Sequence, residues 1–207
     1  MSPADPRPGS DAPGLVADRL LVDARILTMD AQAREIGRGW VALSGERIAA
    51  LGQGDAPAAL AGLPAEDMAG DLLMPGMVNP HAHLAMTLFR GLGEDVDDRL
   101  FRYILPLERA LVTAEVVEAG TRLAAVETIR AGVTTVADMY YFEDRVGAVL
   151  DAAGLRGVVG QTLADFDAPD HDTMDEGFAR LDALADLYRD HPRITASAAP
   201  HAPYSTD

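Results

Sequence analysis

His81 and His83 stand two residues apart in MVNPHAHLA, and along an extended strand residues i and i+2 point to the same face. Two imidazoles on one face can reach one divalent metal ion, which is the first chemistry the sequence offers. A bare His-X-His is common by chance. Here Pro75-Gly76 and Asn79-Pro80 frame a short apolar run entering a loop, which weakens the alternative of two histidines merely hydrogen-bonded at a strand end. His201 closes a later apolar run in APHAPYS, and on residue type alone it would be recruited as a third ligand. His171 lies in a polar, Asp-rich stretch and His191 at a helix end before Pro192; both read as solvated side chains and are assigned no role. Asp138 ends the run GVTTVAD and reads equally as a loop cap or as a polar contact to substrate or to the ligand residues. Cysteine is absent, which excludes thiolate metal sites, a cysteine nucleophile and a disulfide framework. All 17 basic residues are Arg, so a Schiff-base lysine is excluded as well.

Residues of this kind need a scaffold, and the periodicities describe one. From Leu15 to about Gly70 the pattern is short β-type runs, with Gly39 to Leu43 and Arg47 to Leu51 flanking Ser44-Gly45-Glu46 as a hairpin. From Leu72 onward apolar runs of about five residues alternate with helical segments, the pattern of βα units around a parallel sheet. The runs are Met77-Val78 leading into His81, Val133 to Ala137, Leu155 to Leu163, and Ile194 to Ala199. A helix opens near Thr113 with the apolar stripe Val116, Ala119, Gly120, Leu123, Val126 and ends at Gly132. Another carries Val146, Val149 and Leu150 and ends at Gly154. A third, with Thr173 and Glu176 as a capping box, carries Phe178, Leu181, Leu184 and Tyr188 up to Pro192, and Ser205-Thr206-Asp207 reads as the start of one more. The expected organisation is a disordered tail over 1–14, a β unit over 15–74 and four βα units over 75–207. A closed barrel of this type needs eight strands, and four parallel strands could equally form an open doubly wound sheet.

At 48% hydrophobic the chain can bury a substantial core. A formal net charge of -16 argues against nucleic-acid backbones and anionic membrane surfaces as partners. No apolar stretch approaches the ~18 residues needed to span a bilayer, and the Pro-, Gly- and Asp-rich start does not resemble a signal peptide. A cytoplasmic protein is expected, with a homo-oligomer left open.

The stretch DLLMPGMVNPHAHLAMTLFRGLGED resembles the first barrel strand and metal-binding loop of the amidohydrolase superfamily, and DARILTMD and VALSGERIAALG resemble its N-terminal β unit. More narrowly, HLAMTLFRGLGED, LPLERALVTAE, GVTTVADMYYF and APHAPYS, in that order, are similar to the methylthioadenosine/S-adenosylhomocysteine deaminase branch, with triazine hydrolases as near relatives. The resemblance implies an α/β fold, the first half of a (β/α)8 TIM-type barrel preceded by part of a small β-sandwich. It implies a metal-dependent hydrolase whose partner is a small heterocyclic substrate, foremost a purine nucleoside, and which replaces a ring amino group with water, carboxylates moving the protons. His81 and His83 match two ligands of one divalent ion, zinc foremost and iron as in related deaminases. Glu108 matches the carboxylate that accepts hydrogen bonds from ribose hydroxyls, against the alternative of a surface Glu at a helix start. His201 matches a substrate-contacting histidine rather than a ligand.

Two departures bear on function. Where adenosylhomocysteine-using members carry an Arg, this sequence has Gln161, which cannot supply a charged fork for a carboxylate. The family's remaining metal ligands and its acid/base carboxylates match positions beyond Asp207, so no catalytic residue is assigned within these 207 residues. The chain is therefore expected to be the N-terminal portion of a longer enzyme and inactive alone. The alternatives are a triazine-type hydrolase or other heterocycle deaminase and, in another class, a non-catalytic half-barrel that binds a partner.

Overall fold

The computed structural model describes residues 16–203 and 205–206; the tail expected over 1–14 lies outside the described residues, as does Asp207 of the last expected helix start. The chain divides between Pro75 and Gly76 into two compact units. In the first, β1 (Arg19–Leu27), β2 (Glu35–Ser44) and β3 (Arg47–Gln53) pair antiparallel in the order β3-β2-β1. Two short strands, β4 (Ala65–Asp67) and β5 (Leu72–Leu73), pair with β1 in parallel. The hairpin turns at Gly45-Glu46, with Ser44 opposite Arg47. Trp40, Val41 and Ala42 are consecutive and all buried, so β2 is covered on both faces. Trp40 and Ala42 pack with Leu20 and Leu60, and Val41 packs with Ala24 and Ile26. Burial on both faces is what a strand inside a layered β domain requires.

The second unit runs β6 (Met77–Ala82), α1 (Leu105–Leu111), α2 (Ala114–Arg130), β7 (Val133–Tyr140), α3 (Glu143–Ala152), β8 (Arg156–Leu163), α4 (Met174–Leu187) and β9 (Ile194–Pro200). Its four strands are parallel and lie in the order β6-β7-β8-β9. An open doubly wound sheet reverses strand order at its switch point, whereas a barrel adds each strand beside the last. The observed order is that of the barrel. Val136, Val159 and Ile194 from the strands meet Val146 and Leu150 of α3 and Leu184 of α4 in one core. Leu150 is wholly buried, and truncating such a side chain to Ala costs about 2–5 kcal/mol.

Local chemistry sets the ends of these helices. Thr113 Oγ1 accepts from Val116 N as the N-cap of α2, and Gly132 follows the helix at φ 76°, a left-handed conformation glycine adopts without steric cost. Thr173 Oγ1 accepts from Glu176 N at 3.3 Å, but the Glu176 carboxylate accepts from Asp172 N rather than Thr173 N, so the expected capping box closes one residue early.

Two helix faces differ from the expected stripes. On α2 the buried residues are Val117, Gly120, Thr121, Ala124 and Ala125, while Leu123 and Val126 are about half exposed. The reason is distance: α2 packs on the 3-10 turn Leu84–Phe89, and a Cβ at Gly120 would lie 2.5 Å from the Ala85 carbonyl oxygen. Only small side chains fit so close an approach. On α4, Leu184 and Tyr188 are buried but Phe178 is 49% exposed, the buried neighbour there being Gly177. Among the described residues no helix is long and apolar enough to cross a membrane.

Candidate active site

β6 ends at Ala82, so His81 and His83 flank the strand end and the turn that follows. Their ring centroids are 5.0 Å apart at 78° to one another. His83 Nδ1 lies 2.6 Å from the Met139 carbonyl oxygen. A carbonyl only accepts, so Nδ1 carries the hydrogen and Nε2 keeps its lone pair for a metal. Burial holds the His83 imidazolium below its usual range, with His81 and His201 adding to this and the Met139 bond opposing it. The pair therefore fits a divalent ion as two of its ligands. Among the described residues no third His, Asp or Glu joins them in a group able to hold an ion.

Glu108 sits on α1, where Pro106 suits the first turn of the helix. Its carboxylate is buried and accepts from Tyr140 Oη at 2.8 Å across 32 residues of sequence. Burial raises its pKa and the Tyr140 bond pulls it back down. Burial and the neighbouring Glu108 charge push the Tyr140 hydroxyl far above its usual range, so it remains a donor. Glu108, Tyr140, His83, His201 and Phe166 line one cavity of about 150 Å³, whose remaining walls are mostly apolar side chains such as Ile104, with Thr162 and Ser205 adding hydroxyls. His201, at the end of β9, has its ring centroid 5.7 Å from that of His83. Three strand spacings of about 4.8 Å would hold the outer strands of a flat sheet about 14 Å apart, so curvature of the sheet helps bring the two rings together.

Asp138 does not end its strand, because β7 stays paired with β8 as far as Tyr140. Its Oδ1 accepts from Leu84 N at 2.7 Å, which ties the turn after His83 to β7, while Met139 holds the His83 ring. Asp170 is a second buried carboxylate. It accepts from Phe142 N at 2.8 Å and Gln161 Nε2 at 3.2 Å, and its other oxygen lies 2.7 Å from His171 Nδ1. These partners hold Asp170 below the usual carboxylate range although burial pushes it up. Gln161 is buried with its amide turned to Asp170 and to the Thr162 carbonyl.

The reading of His171 as a solvated histidine is corrected: it is buried because Asp170 supplies the hydrogen-bond partner that its sequence neighbours suggested water would supply. His191 likewise has a structural task, its Nδ1 accepting from Ile194 N at 3.0 Å and Arg193 N at 3.2 Å. The alternative of Glu108 as a surface residue fails on its burial. Tyr140, Glu143 and Asp170 were missed. A signal existed for Tyr140, since it shares a strand face with Val136 and Asp138 at period two.

Three comparisons bear on this geometry. The amidohydrolase family profile matches residues 72–207. A 5-methylthioadenosine/S-adenosylhomocysteine deaminase of Syntrophobacter fumaroxidans is 40% identical over 192 residues, covering 91% of this chain and 44% of the relative. The crystal structure of an adenosine deaminase from Xanthomonas campestris with bound zinc is similar with a TM-score of 0.80 and 34% identity, over 92% of this chain and 44% of that one. Atrazine chlorohydrolase of Arthrobacter aurescens, complexed with zinc, shares the fold with a TM-score of 0.81 at 18% identity, over 91% of this chain and 48% of that one. The chain thus spans less than half the length of each.

Proposed function

The chain belongs to the amidohydrolase family, and from that premise we propose that the full-length protein carrying it is a metal-dependent hydrolase that deaminates a purine nucleoside. The observation that carries this reading is the convergence of His83, His201 and the Tyr140-bonded Glu108 on one cavity beside His81. We assign His81 and His83 as metal ligands and Glu108 and His201 as substrate-binding residues. A divalent ion held there, zinc as in the Xanthomonas campestris deaminase structure, supplies Lewis acidity that makes water nucleophilic at neutral pH. Met139 fixes the His83 tautomer so that Nε2 keeps the lone pair a metal would take. Glu108, with one oxygen bound by Tyr140, has lone pairs left for vicinal ribose hydroxyls. The mostly apolar walls suit a purine ring with an uncharged 5′ substituent. The Cys-free, acidic chain suits a cytoplasmic site of action.

Ammonia release from methylthioadenosine, adenosine, S-adenosylhomocysteine and a chlorotriazine tests the proposal on the zinc-loaded full-length protein. Methylthioadenosine or adenosine should be deaminated at least as well as S-adenosylhomocysteine, because Gln161 is committed to Asp170 and carries no charge for an amino-acid tail. Turnover of the chlorotriazine alone would overturn the assignment.

A further inference from the structure

Glu143 is the first residue of α3 and is 0% exposed, yet neither of its carboxyl oxygens meets an N–H or O–H donor among the described residues. It lies in hydrogen-bond contact with the Asp138 carboxyl, whose Oδ1 is taken by Leu84 N and whose Oδ2 also lacks a donor. Two buried carboxyls with three donorless oxygens cannot both ionise in contact, because desolvation and like-charge repulsion act in the same direction. A proton held between them converts that repulsion into an O–H···O bond and satisfies two of the three orphaned oxygens, Asp138 Oδ2 and one oxygen of Glu143. Burial and then the Asp138 charge raise Glu143 well above the usual carboxylate range, with Asp170 adding to this. The Tyr140 backbone opposes the rise without making a hydrogen bond of good geometry. Burial also raises Asp138, to about 7.

The backbone brings the two carboxyls together on purpose-built geometry. Phe142 between β7 and α3 is left-handed at φ 54°, unusual for an aromatic residue, and its N–H is anchored on Asp170. That sharp turn starts α3 directly after the strand, so Glu143 folds back onto Asp138 five residues earlier. Asp138 in turn holds the amide of Leu84, which immediately follows His83.

We propose that Asp138 and Glu143 share one proton and act together as a positioning pair for the His81–His83 turn, Glu143 donating to Asp138 Oδ2 so that Asp138 Oδ1 stays aimed at Leu84 N–H. Neither is a catalytic residue. The metal consequence rests on the proposed role of the two histidines; the anchoring of Leu84 does not.

Two readouts on the full-length protein separate these claims: amide hydrogen exchange at Leu84 in the metal-free state, and zinc affinity by chelator competition. Glu143→Gln replaces the shared proton with a permanent N–H donor, so Leu84 protection and zinc affinity should stay within about threefold of wild type. Glu143→Leu removes the donor; Leu84 should exchange at least ~10-fold faster and zinc affinity fall about 10–100-fold, the range for groups that orient a ligand. If that variant does not fold, Asp138→Asn with Glu143→Gln provides a second test. Its two amides can make both bonds, and wild-type exchange at Leu84 is expected. Loss of Leu84 protection in Glu143→Gln or in the double variant, or unchanged protection in folded Glu143→Leu, would overturn the pair. Exchange that follows the expected pattern while zinc affinity ignores every variant would uphold the anchor of Leu84 and overturn its positioning of the histidine pair.

Discussion

Gly120→Ala sets two effects of opposite sign against each other. In a helix interior Ala is favoured over Gly by about 1 kcal/mol. Against this, the new Cβ would stand 2.5 Å from the Ala85 oxygen and 3.0 Å from its Cα. Both are backbone atoms that no rotamer change can move aside, and overpacking of this kind costs about 1–3 kcal/mol. The net expectation is a destabilisation of about 1 kcal/mol, taking the middle of that range. Ala119→Gly supplies the calibration, since Ala119 is exposed on the same helix and that change reports propensity alone. The strain falls on Ala85, two residues after His83, so the Leu84 anchor loosens and zinc binding weakens along with stability. Thermal melting and chelator competition on the full-length protein measure both. A Gly120→Ala protein that melts higher by what Ala119→Gly loses, with zinc affinity unchanged, would refute the claim that α2 braces this turn.

Tyr140→Phe removes the donor that holds the Glu108 pKa down against burial, so that pKa rises further; with Glu108 in its proposed role, where the ionised form accepts the substrate hydroxyls, the acid limb of the KM profile should move to higher pH, with kcat less affected. Thr173→Ala deletes the N-cap of α4 and should cost about 1 kcal/mol in melting experiments while leaving substrate affinity unchanged. His81→Ala and His83→Ala should each abolish tight zinc binding, measured by elemental analysis after dialysis. His171→Ala should instead lower the melting temperature, since it leaves Asp170 buried without one of its partners, and should retain the metal.

What the sequence made legible was local. The βα alternation, the Ser44-Gly45-Glu46 turn, the helix start near Thr113, the cap at Thr173 and the His81–His83 spacing are properties of neighbouring residues, and all reappear in the structure. Pairings such as Leu84 with Asp138, or Glu108 with Tyr140, join residues 54 and 32 positions apart and depend on strand register that no single segment encodes. The α2 stripe failed for a different reason. Hydrophobicity rewards large side chains, whereas the face that approaches Ala85 selects small ones, so of the expected stripe only Gly120 is buried, and Thr121, Ala124 and Ala125 take the places expected of Leu123 and Val126. His171 failed because a flanking Asp was read as a sign of water when it was itself the buried partner.

The strand order β6-β7-β8-β9 also gives the site a history during synthesis. Among the described residues each of these strands pairs with its neighbours in the chain, so the sheet can grow in the direction in which the ribosome releases it. His83 emerges first and must wait for the anchor of its following amide, 54 residues later. At about 5–20 residues per second the nascent histidine turn spends roughly 3–10 s without Asp138, long enough for a metal to meet it before its geometry is fixed.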